Sequence, residues 1–133
     1  MESTQINSPK IGPNRIILEL PLPPKALHPN SRPHWRTKAE AVKRARRDAR
    51  LVAGPQRPSA PFARATVQAT FYVARRNDTD NLAAWLKSYL DGLQDGGIVA
   101  NDRDLTVLPP FQTIGVPAAQ QRVVLEITGE AQA

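Results

Sequence analysis

Apolar and polar positions alternate along three stretches of this chain, and each alternation predicts a strand. In "RIILEL", Ile16, Leu18 and Leu20 alternate against Ile17 and Glu19, and Pro21, Pro23 and Pro24 stop the run. In "ATVQATFYVARR", Val67, Ala69, Phe71 and Val73 point one way, and Thr66, Gln68, Thr70 and Tyr72 point the other. In "QRVVLEITG", Val123, Leu125 and Ile127 share a face. Between the last two, "DLTVLPPFQTI" reads as one short strand on either side of its prolines.

Two stretches follow the helical period instead. The first starts from about Thr37, taken as the N-cap, with Val42, Ala45, Ala49 and Val52 as a narrow apolar stripe; "GPQRPSAP" ends it. The second runs from Asp80 to about Leu93 and stops at "DGG". At 100° per residue, Leu82, Leu86, Tyr89, Leu90 and Leu93 make a deep apolar face, with Asp80, Lys87 and Asp91 in a charged row opposite. The order strand, helix, strand, helix, strands predicts an α+β fold: a two-layer sandwich of a mixed β-sheet with helices packed on it. At 133 residues the chain reads as a single domain over 15–129, with a disordered tail over 1–14 and a short one over 130–133.

Composition narrows the chemistry. There are no cysteines, which removes disulfides, thiolate-held zinc, iron–sulfur clusters and thiol nucleophiles, and fits a reducing, cytoplasmic setting. No apolar run approaches the ~18 residues of a membrane span, and the N-terminus lacks the pattern of a secretory signal. Net charge is +6, and residues 32–50 alone hold eight Lys and Arg against two acids. Such a concentration suits a polyanion such as nucleic acid, although a solvated helix face has the same composition.

The acids are distributed in the opposite sense. Six of the twelve are Asp residues within "RRNDTDNLAAWLKSYLDGLQDGGIVANDRDL", residues 75–105. Asp78 and Asp80 sit at a strand-to-helix junction, and Asp102 and Asp104 follow the "DGG" break. Each has an ordinary reading: Asp80 as a helix cap, Asp91 and Asp95 as solvated acids, "NDRD" as a turn. Together, two junction carboxylates and a third from another element make an all-oxygen donor set suited to Mg²⁺ or Mn²⁺. The two histidines, His28 and His34, are assigned to a distant loop. Mg²⁺ joins carboxylates to phosphates, so acidic cluster and basic segment together suggest metal-assisted phosphodiester hydrolysis.

The stretch "RRNDTDNL…K…LDGLQDGGIVANDRDL" resembles the signature of the RusA family of Holliday-junction resolvases, and "LELPLPPKALHPN" resembles that family's opening. The likeness covers about residues 16–128. It implies a small Mg²⁺-dependent, homodimeric endonuclease acting on four-way DNA junctions. Asp78 and Asp80 match the acids of the D-x-D-N motif, and Asp102 matches the later acid, whose usual acidic neighbour is here Asn101. Lys87 matches the catalytic lysine, three residues later than in members where it follows the second Asp by one turn; that position is Ala84 here. The resemblance thus makes Asp78, Asp80 and Asp102 metal ligands and Lys87 the cation that stabilises the transition state. Arg75, Arg76, Arg44, Arg47 and Arg50 are the expected phosphate contacts. Two other readings stay open: a basic nucleic-acid-binding domain without chemistry, and a less selective nuclease of flaps and other branches.

Overall fold

The alternating stretches lie side by side in one sheet. The computed structural model describes residues 14–131. Strands β1 (Arg15–Leu20), β2 (Arg64–Tyr72), β3 (Leu105–Val107), β4 (Phe111–Thr113) and β5 (Arg122–Glu130) make a five-stranded sheet. Its order is β1-β5-β2-β3, with β4 continuing along the same side of β2 as β3. β5 is antiparallel to β1 and β2, whereas β3 and β4 run parallel to β2.

Register makes the inner face uniform. Leu18 and Ala69 both lie opposite Leu125, Val67 opposite Ile127, and Phe71 opposite Val123. All are fully buried. Helices α1 (Trp35–Ala53), α2 (Thr79–Trp85) and α3 (Lys87–Asp95) cover this face through Ala45, Ala49, Leu82, Trp85, Leu86, Tyr89 and Leu93. The outer face carries Thr66, Gln68, Thr70, Glu126 and Thr128, with ion pairs Arg15–Glu126 and Arg122–Glu19. The protein is therefore the two-layer α+β sandwich that the period changes predict.

Four local expectations need correction. First, α1 begins at Trp35, because the His34 Nδ1 accepts the Arg36 N–H at 3.1 Å and caps the helix three residues before Thr37. Second, its buried stripe is Ala41, Ala45, Ala49 and Ala53, not the one through Val42 and Val52. The reason is the neighbour. Gly92 of α3 lies so close that an added Cβ would stand 2.6 Å from Ala49 Cβ, and one on Gly96 would stand 3.2 Å from Ala53 Cβ. Small residues face small residues one turn apart on both helices. Third, the helix expected from Asp80 to Leu93 is broken at Leu86, whose N–H turns back to the Ala83 carbonyl at 3.3 Å. A straight wheel therefore does not relate Asp80 to Lys87. Fourth, β5 runs through Glu130, into the expected C-terminal tail. The N-terminal tail over 1–14 lies outside the described residues except for Asn14, whose carbonyl accepts the Gly129 N–H at 2.8 Å.

Candidate active site

Asp78 and Asp80 stand where β2 hands over to α2, on a turn held from several sides. Asn77 organises it. Its N–H donates to the Gln112 side-chain oxygen at 2.9 Å, its carbonyl accepts from the Gln112 amide at 2.8 Å, and its own side-chain amide donates to the Arg75 carbonyl at 3.0 Å. Its Oδ1 meets His28 Nε2 at 3.0 Å. Trp85 anchors the helix that follows the turn: its indole N–H donates to the Pro24 carbonyl at 2.9 Å, its ring stacks on Phe71, and its edge meets the His28 ring. The histidine assigned to a distant loop is therefore one residue from the acidic motif, because the proline-rich segment after β1 folds back over the end of β2. A cavity of about 540 Å³ opens here, with Leu22 and Trp85 among its apolar walls and Lys25, His28, Arg75 and Asn77 among its polar ones.

Within the turn, Asp78 caps α2. Its Oδ1 accepts the Asp80 N–H at 2.9 Å, which leaves its second oxygen outside that bond. Asp80, expected as the cap, is instead an exposed residue of the first turn. Lys87 opens α3 and is largely exposed, with its ammonium 3.0 Å from Asp91 Oδ1. Asp95 at the other end of α3 grips Arg46 in two bonds, at 3.0 and 2.9 Å. These bonds raise the Arg46 pKa further above its ordinary value, with Asp91 adding to the effect. Asp95 thus clamps α3 to α1.

Asp102 lies elsewhere. Val99 is bridged in parallel to Phe62, and Leu105 is paired with Ala65, so Asp102 is level with the start of β2. Asn77 is bonded to Gln112, which is paired with Phe71 near the end of β2. At ~3.3 Å per residue, the strand between these levels is roughly 20 Å long. A magnesium ion takes oxygen ligands at about 2.0–2.1 Å, so carboxylates sharing one ion stand almost in contact. In one chain, Asp78, Asp80 and Asp102 therefore do not fit around a single ion. Among the described residues, no group of three or more His, Cys, Asp or Glu is placed to hold a metal.

The cations divide likewise. Arg75 and Arg76 are exposed directly before the acidic turn, and Arg44, Arg47 and Arg50 are exposed on the outer side of α1. A shallow depression on α1 is walled by Glu40, Lys43, Arg44 and Arg47. Sequence reasoning missed Asn77, Gln112 and His28 as supports of the turn. No local signal marks them, since Gln112 and His28 are 35 and 49 residues away from Asn77 in the chain.

A protein of Xylella fastidiosa (strain Temecula1 / ATCC 700964) bearing the name "Uncharacterized protein" is 37% identical over 121 residues. The alignment takes in 86% of this chain and 77% of that protein. The chain belongs to the same family as that protein. The match is long enough to take in both the acidic turn and the basic helix, and the relative's printed name assigns neither an activity. No family model matches the chain. Among the described residues, no helix is long and apolar enough to cross a membrane.

Proposed function

We propose that the protein is a structure-selective endodeoxyribonuclease of the RusA kind, acting on branched DNA such as four-way junctions. The observation that carries this reading is the turn at the end of β2. It presents two neighbouring carboxylates, Asp78 and Asp80, directly after two exposed cations, Arg75 and Arg76, on backbone braced by Asn77, Gln112 and Trp85. Rigid backbone under reacting groups is what catalysis needs, because misplacement of about 1 Å costs large factors in rate. The arginines would hold phosphates and offset the repulsion between DNA and the carboxylates. Lys87, exposed at the start of α3, would present its ammonium to the phosphate as charge builds up in the transition state. The ion that the resemblance implies, Mg²⁺ with Mn²⁺ as substitute, is not accommodated by the three acids of one chain.

The test compares a four-way junction, a fork and a linear duplex side by side, each with Mg²⁺ and with EDTA. Metal-dependent paired cuts in the junction support the resolvase reading. Cuts at every branch support a less selective nuclease. The capping bond of Asp78 and the distance of Asp102 favour a second reading, a basic nucleic-acid-binding domain without chemistry. Binding of the junction with no cleavage under any metal would establish that reading and refute the first.

A further inference from the structure

The residues of α1 from Trp35 to Glu40 are all exposed, and its buried stripe starts only at Ala41. A helical turn takes about 3.6 residues, so these positions sample every side of the helix. The start of α1 therefore projects past the sandwich by about 9 Å, and Trp35 has no core to enter there. Its indole is 68% exposed, more than any other large apolar side chain among the described residues. A lone exposed leucine is ordinary on a protein surface. A large aromatic ring on a projecting turn is not accounted for by folding.

The ring is fixed without being covered. The cap bond from the Arg36 N–H to His34 Nδ1 pins the imidazole, and the indole stacks beside it with centroids 5.5 Å apart and planes 29° from parallel. The Arg36 guanidinium stands 5.1 Å from the indole centroid. Residues 25–47 hold eight Lys and Arg against one acid, Glu40. Arg32, Arg36 and Lys38 are exposed around the ring, and among the described residues none of them is paired with an acid. An open aromatic face set among such cations is the form of surface that takes an unpaired base. The base stacks on the ring, and the cations meet the flanking phosphates. An apolar protein partner would cover the indole but leave the three cations without counter-charge.

The ring also stands at the right end of the molecule. Gly92 lies against Arg46 and Ala49, and Gly96 against Arg50 and Ala53, so α1 and α3 run side by side in the same direction. Counted back five residues on both helices, Lys87 is level with Ala41 and Arg44. Trp35 lies about two turns, roughly 11 Å, beyond that level. At ~3.4 Å per nucleotide this is a reach of about three nucleotides along a strand. The chain arrives at Trp35 seven residues after His28, which meets Asn77 of the acidic turn. Seven residues span at most about 25 Å, so ring and turn are within reach of one DNA arm.

We propose that Trp35, fixed by His34 and flanked by Arg32, Arg36 and Lys38, is a stacking site for an unpaired base of single-stranded DNA that leaves the branch point. The proposal rests on the reading of this protein as one that binds branched DNA, and it holds for the nuclease and the non-catalytic form alike. It supplies a preference that cations alone do not: a branch with a single-stranded arm over a fully paired duplex.

Binding of an oligothymidylate, a fork with one single-stranded arm and a blunt linear duplex tests the site. Trp35 is outside the core cluster, so its variants should fold as the wild type does, which circular dichroism checks. Trp35→Ala should weaken binding of the oligothymidylate and the fork by about 5- to 150-fold, the range for loss of one base–aromatic stack, with little change for the duplex. Trp35→Phe should keep most of the affinity. Trp35→Lys adds a cation but no ring, and should weaken binding as alanine does. The slope of log K against log salt should stay at the wild-type value in Trp35→Ala, because an indole releases no counterion, and should flatten in Arg36→Ala. Oligothymidylate should quench the tryptophan emission of the wild type and leave that of Trp35→Ala, which comes from the buried Trp85, unchanged. Wild-type affinity in Trp35→Ala or Trp35→Lys, or an equal loss on the duplex, overturns the stacking site. A wild type that binds the duplex but neither single-stranded ligand overturns it and leaves the DNA reading intact. A wild type that binds none of the three overturns both.

Discussion

Alanine at Gly92 should destabilise this protein, although the same change in an ordinary helix stabilises it. Gly92 is inside α3, where propensity alone favours alanine by about 1 kcal/mol. Here the new Cβ would lie 2.5 Å from the Arg46 carbonyl oxygen and 2.6 Å from Ala49 Cβ. Ordinary contact begins near 3.4 Å. The first obstacle is helix backbone, which cannot rotate away as a side chain would. Relief requires α1 and α3 to part by about 1 Å, which loosens a close-packed contact along its length. Overpacking of this kind costs about 1–3 kcal/mol, often more than propensity returns. The expected net loss is about 1 kcal/mol, a fall of about 3–5 °C in Tm for a domain of this size. Gly54 supplies the internal control. Its backbone is helical, with φ −50° and ψ −51°, and an added Cβ would meet nothing within 4 Å. Gly54→Ala should therefore change stability little, the gain from restricting the unfolded chain being offset by the crowding of an α-helical side chain before Pro55. Urea or thermal unfolding followed by circular dichroism measures both. If Gly92→Ala costs no more than Gly54→Ala, the two helices do not approach as closely as described, and the account of the alanine stripe is wrong.

Three further outcomes follow from the site and its supports. Tyr89 donates its hydroxyl to the Pro21 carbonyl at 2.8 Å, and burial raises its pKa above the ordinary value. Its contribution to stability is complete below the unfolded value of about 10 and is lost as pH rises from there through the folded value, so alkaline unfolding curves of wild type and Tyr89→Phe should converge; parallel curves would contradict this. Asp78→Ala should cost about 0.5–2 kcal/mol through loss of the cap, whereas Asp80→Asn should leave stability nearly unchanged; both should abolish cleavage if the endonuclease reading holds, so equal unfolding midpoints for the two variants would remove Asp78 from the capping role. Lys87→Ala should lower single-turnover cleavage by on the order of 10² with little change in junction affinity, because a cation acting on the transition state contributes mainly to the chemical step; normal cleavage by this variant would move the catalytic cation elsewhere.

The sequence was most legible where side chains answer to the local period. Ile16, Leu18 and Leu20, the alternation from Ala65 to Val73, and Val123, Leu125 and Ile127 all lie on the inner face, because a strand with one buried face must alternate. The short strands around Pro109 and Pro110 were legible because proline interrupts a ladder. The α1 stripe departs from the expected one, in which the larger Val42 and Val52 take core positions. Glycines on α3 reversed that preference, and nothing within residues 35–53 records which helix will lie opposite. The N-cap of α1 falls at His34 rather than Thr37 because the His34 ring nitrogen reaches a free amide of the first turn, that of Arg36.

The sequence by itself determined the strands, the two helical stretches, the inner face of the sheet, the concentration of cations on α1 and the presence of two acids at the end of β2. Each follows from residues close together in the chain. Tertiary structure alone decided where Asp102 falls. Chain order makes it a neighbour of the Asp78–Asp80 motif, separated by one helical stretch. Yet β3 runs parallel to β2, and a parallel strand must begin at the same end as its neighbour. The helices α2 and α3 therefore carry the chain back along the sheet before β3 begins. The acid before β3 lies at one end of β2, and the acids after β2 lie at the other. That separation is a property of strand direction, which no side chain near Asp102 encodes.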